Sequence, residues 1–371
     1  MLAALRCDAA ASSAQASAGV RVRDWDAVVR LAASHGVTWW VVRALPATGV
    51  PAAARASAAD TARRVAVHAL AGARQVAELC GTLAARDIRA VAYKGPALAA
   101  ELHGDVGARD FADLDLLIAA ADRDRTVAAL RAAGYESAAR YTAREERTYS
   151  RWEGATQLAR DGAAPVELHW RVQAPRYGGP QDPRDLVARA RAVALGGGAV
   201  LVPQPEDLCV LLALHGVKHA WSSLLWLADF VAAASRPALD WVAVSGRAAE
   251  WGVGRTLHCA LLFAREMTGL ELPGAVRAAA EADTAALALA RDVAVHLTGA
   301  PGAVDLGGES TLRYDLRWLE GRWARARYLA LAAMLPTPRD REALRLPDAL
   351  LPLAYPWRAV RLLRHLLGRR P

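Results

Sequence analysis

The sequence predicts an α+β protein in which a small mixed β-sheet with flanking helices precedes a largely α-helical C-terminal half. Three observations predict it. Helical spacing of apolar residues runs from Asp24 to about Arg86, and returns beyond Pro205. Between those stretches lie short β-prone runs, Ile88 to Tyr93, Leu114 to Ile118, Thr156 to Arg160 and Val166 to Val172, punctuated by glycine turns. The 371 residues are 54% apolar, enough to bury at least one large core.

These signals divide the chain into six segments. Residues 1–22 are Ser/Ala-rich without a compact apolar stretch, and read as a loose leader rather than an export signal. Residues 23–86 are a helical segment broken near Pro46 to Pro51. An α/β core covers 87–175. In it Pro96 suits the first turn of a short helix that ends at His103 and is closed by Gly104. Asp122 to Ala133 is a further helix closed by Gly134, and Asp161-Gly162 turns a hairpin. Residues 176–205 are turn-rich and read as a connector. A helical domain, 206–300, opens with Glu206-Asp207, and its first helix carries Leu208, Leu211, Leu212, His215 and His219 on one stripe. Further helices are expected around 222–235, 239–251, 254–268 and 284–298. The last segment, 301–371, has a helix expected around 311–333 and a basic amphipathic tail from Trp357 to Arg370.

Bulk charge and cysteine content bound the function only loosely. A net charge of +8 permits an acidic ligand without requiring one. No apolar run is long enough to cross a bilayer. The four cysteines lack metal-ligand or disulfide-like spacing, so a reduced, cytoplasmic setting is expected. Only two of the 46 basic residues are lysines, Lys94 and Lys218. A composition so biased toward arginine hints that these are places where a compact point charge, rather than a planar fork, is needed.

The informative unit is Phe111-Ala112-Asp113-Leu114-Asp115-Leu116-Leu117-Ile118. Alternate strand residues share a face, so Asp113 and Asp115 project together while Leu114 and Leu116 enter the core. Two adjacent carboxylates repel unless a cation sits between them, and hard oxygen ligands suit magnesium. Val166-Glu167-Leu168-His169-Trp170 offers Glu167 and His169 on one face of a second strand. An aspartate pair at a strand edge is commonly just a solvated rim. The upstream turn strengthens the metal reading: a strand ending in Lys94-Gly95 and running straight into a helix exposes free backbone N–H groups, a ready anion site.

Tyr93-Lys94-Gly95-Pro96-Ala97-Leu98, Leu102-His103-Gly104-Asp105 and Arg109 to Ile118 together resemble the uncharacterised nucleotidyltransferase family, a branch of the DNA polymerase β-like superfamily. Val166 to Trp170, and His215-Gly216-Val217-Lys218-His219 through Trp226-Leu227-Ala228-Asp229, resemble its later blocks. The resemblance implies a nucleoside triphosphate donor, with ATP expected although no residue fixes the base. It implies Mg2+, with Mn2+ as a substitute, held by Asp113 and Asp115, and Glu167 as third ligand or general base. In that scheme two metal ions are bridged by the aspartates, while Lys94, the amides near Gly95, and Arg109 neutralise phosphate. Lys218 and His219 are expected at the nucleotide, with Asp229 either orienting Lys218 or merely capping or pairing locally, although His215 and His219 also lie on an apolar stripe that suits core histidines. Pro96 stands where most of the superfamily has a second glycine or a serine, so the phosphate grip differs here.

The competing expectation is a catalytically silent nucleotide- or RNA-binding module on the same fold. The acceptor is open among a peptide natural product, a sugar, a small molecule or a tRNA. The basic helices, Arg313 to Arg327 and Trp357 to Arg370, leave room for binding to an anionic surface, though solvated helix faces are the commoner use of such arginines.

Overall fold

A computed structural model describes residues 22–137, 154–177, 179–180, 182–298, 309–335, 350 and 353–367. The expected leader up to residue 21, Cys7, and the end of the basic tail lie outside these residues. The N-terminal part is α1 (Trp25–Ser34), α2 (Thr38–Ala44) and the long α3 (Ala52–Ala84). Asp24 caps α1 by accepting from the Ala27 amide. The core follows as β1 (Ala90–Ala92), α4 (Gly95–His103), β2 (Leu114–Ile118), α5 (Arg123–Ala132), β3 (Glu136–Ser137), β4 (Ala155–Ala159) and β5 (Val166–His169). Gly104 at φ +68° closes α4 in the left-handed conformation.

The stretch expected to be a turn-rich connector instead holds α6 (Arg184–Arg189) and a hairpin, β6 (Arg191–Leu195) and β7 (Gly198–Val202). Gly196 and Gly197 turn it with positive φ, and β7 pairs in parallel with β1. Its glycines are therefore a tight hairpin rather than a linker. The result is a seven-stranded mixed sheet of order β3-β4-β5-β2-β1-β7-β6.

One face of this sheet carries Ala90, Ala92, Leu114, Leu116, Ile118, Val166, Leu168, Val200 and Val202, packed on α3 and α5 as one buried cluster. The opposite face, with Val91 and Leu117, joins a larger cluster built with the C-terminal helices. Those helices are α7 (Pro205–Lys218), α8 (Leu224–Ala234), α9 (Trp241–Glu250), α10 (Gly254–Thr268), α11 (Gly274–Ala282), α12 (Thr284–Thr298), α13 (Glu309–Trp318), α14 (Gly321–Met334) and α15 (Ala354–Leu367). The single helix expected around 311–333 is two, parted at Gly321 with φ +72°. The Glu320 carboxylate there accepts from the Arg255 amide at the start of α10. α11 lies in a stretch where the sequence predicts no helix, and only Ala280 of it is buried.

The end of α7 is shaped by a reversal. Ala220 and Trp221 take positive φ, and Trp221, fully buried, folds back so that its amide reaches the Gly216 carbonyl at 2.8 Å. A Cβ on Gly216 would lie 2.4 Å from the Trp221 ring. Gly216→Ala therefore loses stability. Overpacking costs roughly 1–3 kcal/mol, against about 1 kcal/mol of helix propensity gained. Denaturant unfolding should show a lower midpoint for the variant; an unchanged or raised midpoint contradicts this packing.

Candidate functional site

The site grows from the β2–β5 pairing. The two strands run parallel with Asp115 opposite Glu167 and Leu117 opposite His169. Because side chains alternate, the apolar partners face α3 while Asp115, Glu167 and His169 occupy the other face, toward the helical half. β1 lies on the far side of β2, antiparallel, so Lys94, two residues past its end, reaches across to the same place. Lys94 Nζ donates to Asp115 Oδ1 at 2.6 Å. His169 Nε2 is 3.0 Å from the same oxygen and 3.2 Å from Glu167 Oε2. One donor atom from each of Asp115, Glu167 and His169 falls within 4.8 Å of the others, a spacing able to hold a metal ion.

Electrostatics follow from that crowding. Asp115 is 4% exposed, and burial alone would raise its pKa; the Lys94 charge and the His169 hydrogen bond win and hold it well below the carboxylate range. Glu167 is likewise lowered, burial being outweighed by its bond to His169. For His169 burial opposes the charged ring, yet bonds to both carboxylates raise its pKa. Asp113 behaves in the opposite way. It is half-buried just before β2, and its carboxyl is pushed up, first by burial and then by the charges of Asp115 and Glu167. Three acids thus meet two basic groups, and among the described residues the Asp113 carboxylate and Asp115 Oδ2 accept no hydrogen bond.

Asp113 is placed by the segment before it. The Phe111 ring packs against Gly72 of α3 and stacks on His68 with ring centroids 4.4 Å apart. At the facing turn Gly95 has φ +61°, a conformation that strains any residue with a Cβ. No side chain caps the start of α4, which leaves its first amides open as expected for an anion site.

The helical half brings the second lysine. Lys218 ends α7, and its ammonium is lowered, first by desolvation and next by the charge of Lys94, with Glu167 and Asp115 acting the other way. The two lysines of the chain are therefore coupled electrostatically, far apart though they are in sequence. His219 is lowered to about 4 by desolvation and by Lys218. His215, His219 and Trp226 form a ring cluster with centroids 4.8 to 5.2 Å apart.

Some placements differ from expectation. Asp229, expected to orient Lys218 or to cap or pair locally, instead accepts from Arg109 Nε at 2.9 Å and pairs with His103 Nε2 at 3.0 Å. It is buried on α8, which packs against α4, the helix that ends in His103. Arg109, expected at the phosphates, is 5% exposed, with its Nε given to that carboxylate. Trp170 is buried, with the Arg123 guanidinium 4.7 Å from its ring centroid. Sequence reading missed Arg176, which lies in the short helical turn Pro175–Tyr177 and adds its charge beside Lys218. The only signal was a basic residue in a turn-rich stretch, too common to single out.

The sequence pattern of the family described as uncharacterised nucleotidyltransferase matches residues 21–269. The chain belongs to that family. The match takes in every acid and base of the site, from Lys94 to His219, and ends at the close of α10. No curated protein and no solved structure matches the chain.

Proposed function

We propose that this nucleotidyltransferase moves a nucleoside monophosphate from a nucleoside triphosphate, ATP in the first instance, to a hydroxyl acceptor by a two-metal mechanism. The observation that carries the reading is the β2–β5 register, which sets Asp115 beside Glu167 with Asp113 in electrostatic contact with both. The donor set fits magnesium: the Asp115 and Glu167 carboxylates crowd together with His169, Asp113 feels the charge of both, and Asp113 and Asp115 keep oxygens that no described group claims. Asp113, Asp115 and Glu167 would hold the metal, which when bound neutralises phosphate charge and acidifies the acceptor hydroxyl. Lys94 and the open amides at Gly95 bind phosphate oxygens. His169 holds Glu167 and Asp115 in place through its shared Nε2 hydrogen, which leaves Glu167 to serve as third ligand or as general base.

One observation favours a silent nucleotide- or RNA-binding module instead. Asp115 Oδ1 is already neutralised by Lys94 and His169, as a carboxylate kept for structure would be. The deciding experiment incubates the protein with each labelled triphosphate and Mg2+, alone and with lysate fractions offering peptides, sugars and tRNA. Acceptor-dependent pyrophosphate release supports transfer; nucleotide binding without release supports the silent module. The acid-free stretch Gly321 to Leu335 and the arginines of α15 leave an anionic surface as a separate, salt-sensitive property to be read on vesicles.

Asp113 gives a test that needs no acceptor. Its folded pKa lies above the unfolded one, so its ionised form costs stability at pH above that raised value, and the cost fades as pH falls. Asp113→Asn therefore raises the unfolding midpoint in metal-free buffer, more at pH 7 than at pH 4. Mg2+ should stabilise the wild type by binding the native state, and the variant by clearly less. An equal Mg2+ gain in both proteins removes Asp113 from the metal site.

A further inference from the structure

Tyr314 and Asp315 are neighbours on α13, and each grips a different basic segment. The Tyr314 hydroxyl, on a side chain 6% exposed, donates to the Val217 carbonyl at 2.6 Å, one residue before Lys218. Asp315 is 1% exposed and accepts from the Tyr177 hydroxyl at 3.3 Å, the Trp318 indole at 3.3 Å and the Tyr328 hydroxyl. Tyr177 in turn carries Arg176: the guanidinium lies 4.7 Å from the ring centroid and donates to the Tyr177 oxygen at 3.2 Å. The Tyr177 ring is stacked on Trp318, which fixes its plane. A carboxylate this buried, hydrogen-bonded by neutral donors and with the Arg176 charge acting on it, is expensive to keep unless it orders something. What it orders is the turn that presents Arg176.

We propose that Arg176 and Lys218 form a cationic grip for the polyphosphate of the triphosphate, and that Tyr314 and Asp315 are the positioning residues that set its geometry. This rests on the nucleotidyltransferase reading. Tyr314 and Asp315, adjacent on α13, tie the backbone beside Lys218 and the turn of Arg176 to one helix end; Lys218 feels the charges of Arg176 and of the Lys94, Asp115 and Glu167 group. Among the described residues neither makes an ion pair with a carboxylate. Two neighbouring cations that make no direct ion pair repel, as the acids do across the site, and a polyphosphate satisfies both. Lys94 at the start of α4 and the Arg176–Lys218 pair would then hold the same chain of phosphates from two sides. The helices that supply the clamp, α13 and α14, lie beyond residue 269, where the family match ends, so the device is carried by this chain's C-terminal part.

The test uses titration calorimetry of the full chain with magnesium tripolyphosphate and, separately, with orthophosphate. A charge-assisted hydrogen bond to phosphate corresponds to about a tenfold or greater change in affinity. Arg176→Gln should weaken tripolyphosphate by at least about tenfold and orthophosphate far less, with Arg176→Lys recovering part of the loss. Asp315→Asn should lose a similar factor, and the double variant should bind no worse than Arg176→Gln alone, since both act through one group. Tyr314→Phe serves as the second positioning variant if Asp315→Asn does not fold. Unchanged tripolyphosphate binding by folded Arg176→Gln, or fully additive losses in the double variant, overturns the inference. Pyrophosphate release by the wild type with an unaltered KM in Arg176→Gln overturns the grip alone; a wild type that binds no triphosphate overturns the reading beneath it.

Discussion

Asp115→Asn lowers the rate of nucleotidyl transfer by about a thousandfold or more, equivalent to roughly 4 kcal/mol of transition-state stabilisation. The side chain is the hub of the site: its Oδ1 takes Lys94 at 2.6 Å and His169 at 3.0 Å, and its strand partner is Glu167. Asparagine keeps the shape and an acceptor oxygen but not the charge. Without that charge a metal ion loses a ligand, Lys94 loses its counter-ion and is free to move, and His169 loses the main reason to stay protonated beside Glu167. Three functions therefore fail together, which is why one conservative change outweighs the loss of any single phosphate contact. Labelled pyrophosphate release measures the rate, and circular dichroism shows whether the variant is folded. Turnover at the wild-type level in folded Asp113→Asn/Asp115→Asn protein excludes the acids from the chemistry.

The acids were legible in the sequence because their signal is local. Asp-x-Asp between leucines and Glu-x-His on a short apolar strand each fix a face by the two-residue period alone, and the register that brings Asp115 to Glu167 is what the structure adds. The helices at 254–268 and 284–298 were equally readable, since an apolar stripe spans each. Three features were not. The β6–β7 hairpin hides in a glycine-rich stretch, and only its pairing to β1 makes it part of the sheet. Arg109 reads as a phosphate contact by position, but a carboxylate 120 residues away claims its Nε. Arg176 gains its place from Tyr177 and Asp315, a contact across 138 residues that no local pattern announces. Spacing along one element is written in the chain; partners between the sheet and the helical layer are not.

That division also locates the point on which the molecule's halves depend. Asp229→Ala lowers folding stability by about 3–5 kcal/mol, the usual cost of stranding a buried charge, and a large share of the 5–15 kcal/mol that holds a domain together. Asp229 lies on α8 and is 1% exposed; its carboxylate ties Arg109 in the loop before β2 and His103 at the end of α4. It therefore fastens the helical half to the loop that leads into β2 and to the end of α4. Removing it leaves the Arg109 guanidinium in a site with little water and no counter-charge. Denaturant unfolding measures the loss, and the double variant Arg109→Met/Asp229→Leu should recover most of it, because an apolar pair of similar size removes both charges at once. A loss below about 1 kcal/mol in the single variant would mean the pair is solvated and joins nothing. Because Lys218 comes from the helical layer and Asp115 from the sheet, the single variant should also bind magnesium tripolyphosphate less tightly than the double, even where both remain folded.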